Sequence, residues 1–192
     1  MQLNKDDVYQ QILKEAESDS NVIGFVLSAG RGKGIANEYS DYDIAIIVPD
    51  ELKAEYVEKY EKKYHQTEII DIGVYSLADY KKYATWGAPD APHRYNFAYL
   101  KAVIDRTGEI QEIIDEKGVI PHDKVKEFIS TKLDDYMNYY YRAVKNYRDG
   151  NLTASHLDGA ESVFSLLAIL FGVEGRLRPY NKYLEWDLKN HP

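Results

Sequence analysis

The segment NVIGFVLSAGRGKGIANEYSDYDIAIIVP, Asn21–Pro49, decides the fold. It reads as a buried strand over Val22–Ser28, a loop of small and basic residues, and a second strand over Tyr42–Val48. Strands so continuously apolar belong inside a sheet covered on both faces. The junction between them has another character. Ala29-Gly30-Arg31-Gly32-Lys33-Gly34 leads to Asp41 and Asp43 at the mouth of the second strand. A core needs neither a glycine-rich turn nor paired acids, so this junction is the candidate site.

Upstream, Lys5 to about Ser18 is a helix with Val8, Ile12, Leu13 and Ala16 on one stripe. Downstream, Asp50 is placed to cap a helix from Glu51 to about His65, with Leu52, Tyr56, Val57 and Tyr60 on its apolar face. Thr67–Leu77 reads as a third strand with Asp71 in the middle of an apolar run. Strand, helix, strand implies a right-handed crossover and a small mixed sheet. A short helix over Ala78–Trp86 follows, then a loop over Gly87–Arg94 with two prolines and a glycine. Tyr95–Ile104 is ambiguous between helix and strand, and Glu109–Lys117 is a short amphipathic helix. Beyond Gly118–Pro121 the pattern changes to long helices over Asp123–Arg148 and Leu152–Phe171 and a third from Asn181. The apolar run Val163–Phe171 is expected to be deeply buried. This gives an α/β domain over residues 1–118, carrying the mixed sheet, and an all-helical domain over 119–192 that forms the other wall of a cleft.

The composition narrows the class. Of 192 residues, 44% are hydrophobic and 29% charged, as in ordinary globular proteins. A net charge of -8 argues against a general nucleic-acid binder, which needs a basic face. The chain has no cysteine, so disulfides and thiolate metal sites are excluded. The N-terminus has no apolar leader, and no apolar run approaches the ~20 residues that cross a bilayer. The expectation is a soluble cytoplasmic protein, monomeric or homodimeric, with no membrane or nucleic-acid partner. Tyrosine is abundant, 18 against five Phe, which suits amphipathic packing and, at single positions, stacking on a ligand ring.

Residues i and i+2 of a strand leave the same face, roughly 6.5–7 Å apart at Cα. Asp41 and Asp43 therefore point one way and Tyr42 the other. Converging carboxylates repel unless a cation or proton relieves them, and Mg²⁺ is the hard ion that suits oxygen ligands and phosphates. Asp71 is the expected third acid, since a lone carboxylate among Ile69, Ile70, Ile72 and Val74 is costly to bury without a partner. It could also accept the proton of an attacking hydroxyl. The glycine loop supplies backbone N–H groups and the cations Arg31 and Lys33, the complement a triphosphate needs. It is not a Walker A loop, because Gly34 follows Lys33, and not a dinucleotide fingerprint, because its glycines fall at every second position. The five histidines show no ligand spacing. Arg94 is within reach of a substrate by its loop position, and Asp158 and Glu161 could line a cleft for a cationic acceptor.

Together these features resemble the nucleotidyltransferase superfamily that includes DNA polymerase beta. More narrowly, the chain is similar to the small antibiotic (aminoglycoside and lincosamide) nucleotidyltransferases. Their mark is a Gly-Ser pair ending the first strand region, a loop, and Asp-x-Asp opening the second strand. Here Ala29-Gly30 stands at the expected interval before Ser40-Asp41-Tyr42-Asp43. Residues 20–118 carry the resemblance. It implies transfer of a nucleoside monophosphate, AMP from ATP, to a hydroxyl of a small acceptor such as an aminoglycoside-like antibiotic. It assigns Asp41, Asp43 and Asp71 to catalysis and Mg²⁺, and Ala29, Gly30, Arg31, Gly32, Lys33, Ser40 and Lys182 to the nucleotide. Gly30 replaces the family serine, which keeps open a nucleotide-binding module without catalysis. A protein-modifying or antitoxin-type nucleotidyltransferase is the other alternative. The end at Pro192 comes early for a two-domain member and leaves room for a missing C-terminal helix.

Overall fold

Four strands, β1 (Gly24–Leu27), β2 (Tyr42–Val48), β3 (Ile70–Ser76) and β4 (Ala102–Asp105), form one sheet in the order β3-β2-β1-β4. The coordinates are a computed structural model that describes residues 4–192. β1 runs antiparallel to both β2 and β4, and β2 runs parallel to β3, so the sheet is small and mixed as the sequence implies. The chain divides into two units, one ending at Gly118 and the other Val119–Pro192.

Period-two alternation splits the first unit into two cores. One face of β1–β3 presents Phe25, Tyr42, Ile44, Ile46, Ile70 and Ile72 to α1 (Lys5–Ser18) and to Tyr56 and Tyr60 of the β2–β3 crossover. The other presents Val26 and Ile47 to Tyr80, Phe97, Leu100 and the isoleucines of α6 (Glu109–Lys117). α1 starts where the Asn4 side chain accepts the Asp6 N–H, with Asp6 and Asp7 favourably in the first turn.

Several expectations change. The basic loop opens as a single helical turn, α2 (Ala29–Gly32). Asp50 does not cap the crossover helix; its carboxylate accepts the Ala78 N–H, and a 3-10 turn, Asp50–Leu52, comes first. The crossover is α3 (Lys53–Tyr56), a π turn (Val57–Glu61) and α4 (Lys62–Tyr64). Glu61, at the end of the π turn, accepts the N–H of Val74 on edge strand β3. α5 (Leu77–Lys82) is shorter than Ala78–Trp86 because Ala84 takes φ 54°, where no helix continues. The ambiguous stretch resolves into a 3-10 segment (Ala91–Asn96), a turn and β4.

The second unit is a hairpin of α7 (Val125–Arg148) and α8 (Leu152–Val173), followed by α9 (Asn181–Asn190). Asn146 donates to Asp158 near its turn, and Phe128 and Ile129 approach Gly172 at the far end, so the two helices are antiparallel. Asp187, fully buried on α9, pairs with Arg176. The run Val163–Phe171 is not deeply buried: Val163, Phe164, Leu166 and Leu170 are exposed, because α8 turns its small side, Ser162, Ser165 and Ala168, inward. Among the described residues α8 is the one helix long and apolar enough to cross a membrane by length and composition, at mean hydropathy 1.4, although His156, Asp158 and Glu161 interrupt its apolar run.

Candidate active site

The register of the sheet builds the site row by row. Asp43 on β2 faces Asp71 on β3 as a direct Cα partner. One step along the same face, Ala45 faces Gly73; another step on, Ile47 faces Tyr75. β1 extends each row, Val26 opposite Ala45 and Gly24 opposite Ile47, and the Ser28 N–H donates to the Asp43 carbonyl. The result is an acid pair, then a floor of small residues, then a bulky row. The absence of side-chain volume at Ala45 and Gly73 leaves a cavity of about 260 Å³ above them.

The cavity is polar at one end and aromatic at the other. Ser28, Asp43, His65, Asp71 and Asn96 line the first; Tyr75, Tyr80, Tyr83 and Phe97 line the second. A Cβ on Gly73 would stand 2.9 Å from the Tyr75 ring, which folds back over its own strand, so a larger residue there must displace the ring. The rings contact each other at 5.7–5.9 Å between centroids. Burial pushes the Tyr75 phenol up to about 12, with Tyr83, Glu61 and Asp71 adding to it, and burial raises Tyr80 further. These hydroxyls stay protonated at neutral pH, so the aromatic end carries no charge. Asp71 Oδ1 accepts the Gln66 N–H at 2.8 Å and lies 3.1 Å from His65 Nδ1. Gln66 takes φ 50° to make that donation.

The other sequence-predicted residues do not line this cavity. Lys33 is buried and points inward, its ammonium donating to the carbonyls of Tyr95, Asn96 and Ala98. Arg31 donates to the carbonyls of Ser40 and Asp41, and its guanidinium lies 3.9 Å from the Tyr42 ring centroid. Both hold backbone: the Lys33 ammonium is buried and the Arg31 guanidinium half-buried, and groups so placed satisfy acceptors nearby. The Ser40 hydroxyl closes a turn with Asn37. Ala29 adopts φ 49° at the start of α2. Lys182 lies on α9 of the second unit, its ammonium over the Tyr183 ring. Arg94, proposed to reach a substrate, is 1% exposed and donates to the carbonyls of Ala84 and Glu116. Asp158 is held by Asn146 within the hairpin.

The glycines separate by cause. A Cβ on Gly32 would fall 2.1 Å from the Leu27 oxygen, and Gly34 has φ 72°, so packing and backbone demand both. Gly30 is different: its Cβ would meet nothing nearer than 3.8 Å, so no contact at the Cβ position demands a glycine there.

Three buried cations brace the aromatic wall. Lys33 and Arg94 act as described, and Lys117 donates to the carbonyls of Tyr80, Lys81 and Tyr83 at the end of α5. Burial pushes the Lys117 ammonium down to about 8.

For Mg²⁺, the donor chemistry fits in part. Asp43 and Asp71 offer hard carboxylate oxygens side by side, whereas Asp41 is outside the cavity lining. Among the described residues no group of three or more His, Cys, Asp or Glu side chains is gathered to hold a metal ion. The aromatic wall, Asn96 and His65 were missed by sequence reasoning. A signal was present: Asp43-Ile44-Ala45 and Asp71-Ile72-Gly73 repeat acid, isoleucine, small residue on two successive strands.

No protein-family model matches the chain, and no curated protein matches it. Among solved structures it is similar to the crystal structure of a nucleotidyltransferase-like protein from Exiguobacterium sibiricum 255-15, at TM-score 0.49 and 10% identity. The match covers 97% of this chain and 63% of that one, so the chain spans less than two thirds of that structure's length. At this identity and score, the likeness is no evidence of activity.

Proposed function

We propose that the first unit is a nucleotidyltransferase that moves AMP from ATP to a hydroxyl of a small acceptor, such as an aminoglycoside-like antibiotic. The observation that carries this is the pairing of Asp43 with Asp71 at the polar end of a cavity whose other end is a neutral aromatic wall. Asp43 and Asp71 would hold Mg²⁺, with Asp41, two residues before Asp43, as the further carboxylate. Bound there, the ion would neutralise charge on the phosphoryl oxygens. The rings of Tyr75, Tyr83 and Phe97 offer stacking surface for the nucleobase. The acceptor oxygen attacks the α-phosphorus, the bond to the β-phosphate oxygen breaks, and pyrophosphate leaves with the electron pair. The hydroxyl proton passes to the Asp71 carboxylate, which the Gln66 N–H orients. The phosphate contacts fall to the backbone N–H groups around Gly30, not to the side chains of Arg31 and Lys33.

A nucleotide-binding module without turnover is the second reading. The absence of a gathered three-acid group among the described residues and the inward course of Lys33 favour it. Both readings are tested by melting the wild type and Asp43→Asn with and without Mg²⁺ and ATP. Ligand binding to the folded state raises the midpoint by mass action. A shift in wild type alone, with pyrophosphate released on adding acceptors, supports transfer; a shift without release supports the module. No shift with any nucleoside triphosphate refutes both.

A further inference from the structure

The second unit carries an apolar face that its own helices leave open. On α7, Leu133, Met137, Tyr140, Val144 and Tyr147 recur at alternating four- and three-residue steps, each 47–69% exposed. On α8, Val163, Leu166, Leu170 and Val173 recur at three-four-three steps and are likewise exposed. At 3.6 residues per turn, the centre of each stripe lies about a third of a turn from residues that meet the other helix, Phe128 and Asn146 on α7 and Asp158 and Gly172 on α8. The offset runs in the same sense on both helices. Because the helices are antiparallel, the two stripes share one side of the hairpin.

Gly159 continues the α8 stripe one four-residue step before Val163. A Cβ there would meet nothing within 4 Å, so no contact inside the chain requires a glycine. Glycine in a helix interior weakens the helix relative to alanine, and its one structural benefit here is close approach by another backbone.

We propose that this face is a self-association surface, on which a second copy of the chain lays its own α7–α8 face to make a two-fold dimer with four packed helices. The stripes expose on the order of 1,000 Å² of mainly apolar surface, comparable to the ~800 Å² that one partner gives to a standard interface. Tyrosine and methionine, prominent on α7, are residue types enriched at interface centres. Two copies each carrying -8 repel, and the stripes contain no Asp, Glu, Lys or Arg, so their contact adds no like-charge pair. A two-fold axis needs a self-complementary patch, which an uncharged apolar face with a notch at Gly159 can supply.

Sedimentation equilibrium of the full chain tests this, with Leu170→Glu on α8 and Tyr147→Lys on α7 as independent variants, and circular dichroism confirming that each keeps its helices. The expected result is a species of twice the chain mass at micromolar concentration. Each helical variant should weaken dimerisation at least tenfold, and Gly159→Leu should do the same by blocking the notch. A wild type that stays monomeric overturns the proposal. So does a dimer indifferent to all three variants, which would use another face. Monomer that co-sediments with zwitterionic phosphatidylcholine vesicles overturns it in favour of a lipid-facing surface.

Discussion

Asp43 and Asp71 are direct partners across the parallel β2–β3 ladder, so their carboxylates leave adjacent strands on the same face. Like charges placed directly across a ladder are destabilising, by about 0.2–1 kcal/mol at ordinary sites. Asp43→Asn is therefore expected to melt at or above the wild type without metal, while losing the rise produced by Mg²⁺ with ATP. Differential scanning fluorimetry across the four combinations checks both signs. A metal-free mutant that melts several degrees lower would show that the carboxylate has a structural role instead.

Gly73→Ala is expected to close the cavity without unfolding the unit. The added methyl would sit 2.9 Å from the Tyr75 ring and force that ring off its seat. The stability cost should be about 1–2 kcal/mol, typical of overpacking. Nucleotide-induced stabilisation should fall by more than tenfold in apparent affinity, read by calorimetric titration.

Gly30→Ser and Gly32→Ala should behave oppositely although they are two residues apart. Gly30 has 3.8 Å of clearance, so the serine variant should stay within about 0.5 kcal/mol of wild type. Gly32 has the Leu27 oxygen 2.1 Å from its would-be Cβ, so alanine should cost about 3 kcal/mol or more. Urea denaturation of both variants decides this. If transfer is the function, Gly30→Ser should also raise turnover.

Lys117 gives the fold a pH signature. Burial lowers its folded pKa to about 8, against 10.5 when exposed. Between those values the unfolded chain binds more protons than the folded one, so this group's contribution to stability rises with pH. The stability difference between wild type and Lys117→Met should widen in favour of wild type from pH 8 to pH 10.5. At neutral pH, Lys117→Met should still cost about 2 kcal/mol, because the carbonyls of Tyr80, Lys81 and Tyr83 lose their donor. Guanidinium titrations across that range provide the measurement, and a flat difference would sink the idea.

The mixed sheet was legible because alternation and apolar runs are local: β2 spans Tyr42–Val48 as read, and α1 and α6 have the expected bounds. The π turn at Val57–Glu61 was not, since Leu52, Tyr56, Val57 and Tyr60 fit an ordinary helical stripe equally well. For the site, residue type was readable and side-chain direction was not. Lys33 in a glycine-rich turn has the composition of a phosphate ligand, yet its acceptors lie more than sixty positions away, at Tyr95 and Asn96. The run Val163–Phe171 announces apolarity but not what covers it, and a two-helix hairpin covers one side of each helix. The Tyr75, Tyr80, Tyr83 and Phe97 wall depends on how α5 and the Ala91–Asn96 turn lie over the sheet, which no short-range pattern encodes.

The pairing of Ala45 with Gly73 has an evolutionary meaning. Acids and floor occupy successive rungs of one ladder, so the groups that would do chemistry and those that set the room available can mutate separately. Replacing a small residue on the second rung changes which molecules are admitted while leaving the carboxylates in register. Under the proposed function, single substitutions two residues downstream of each acid would alter the room beside the carboxylates without moving the carboxylates themselves.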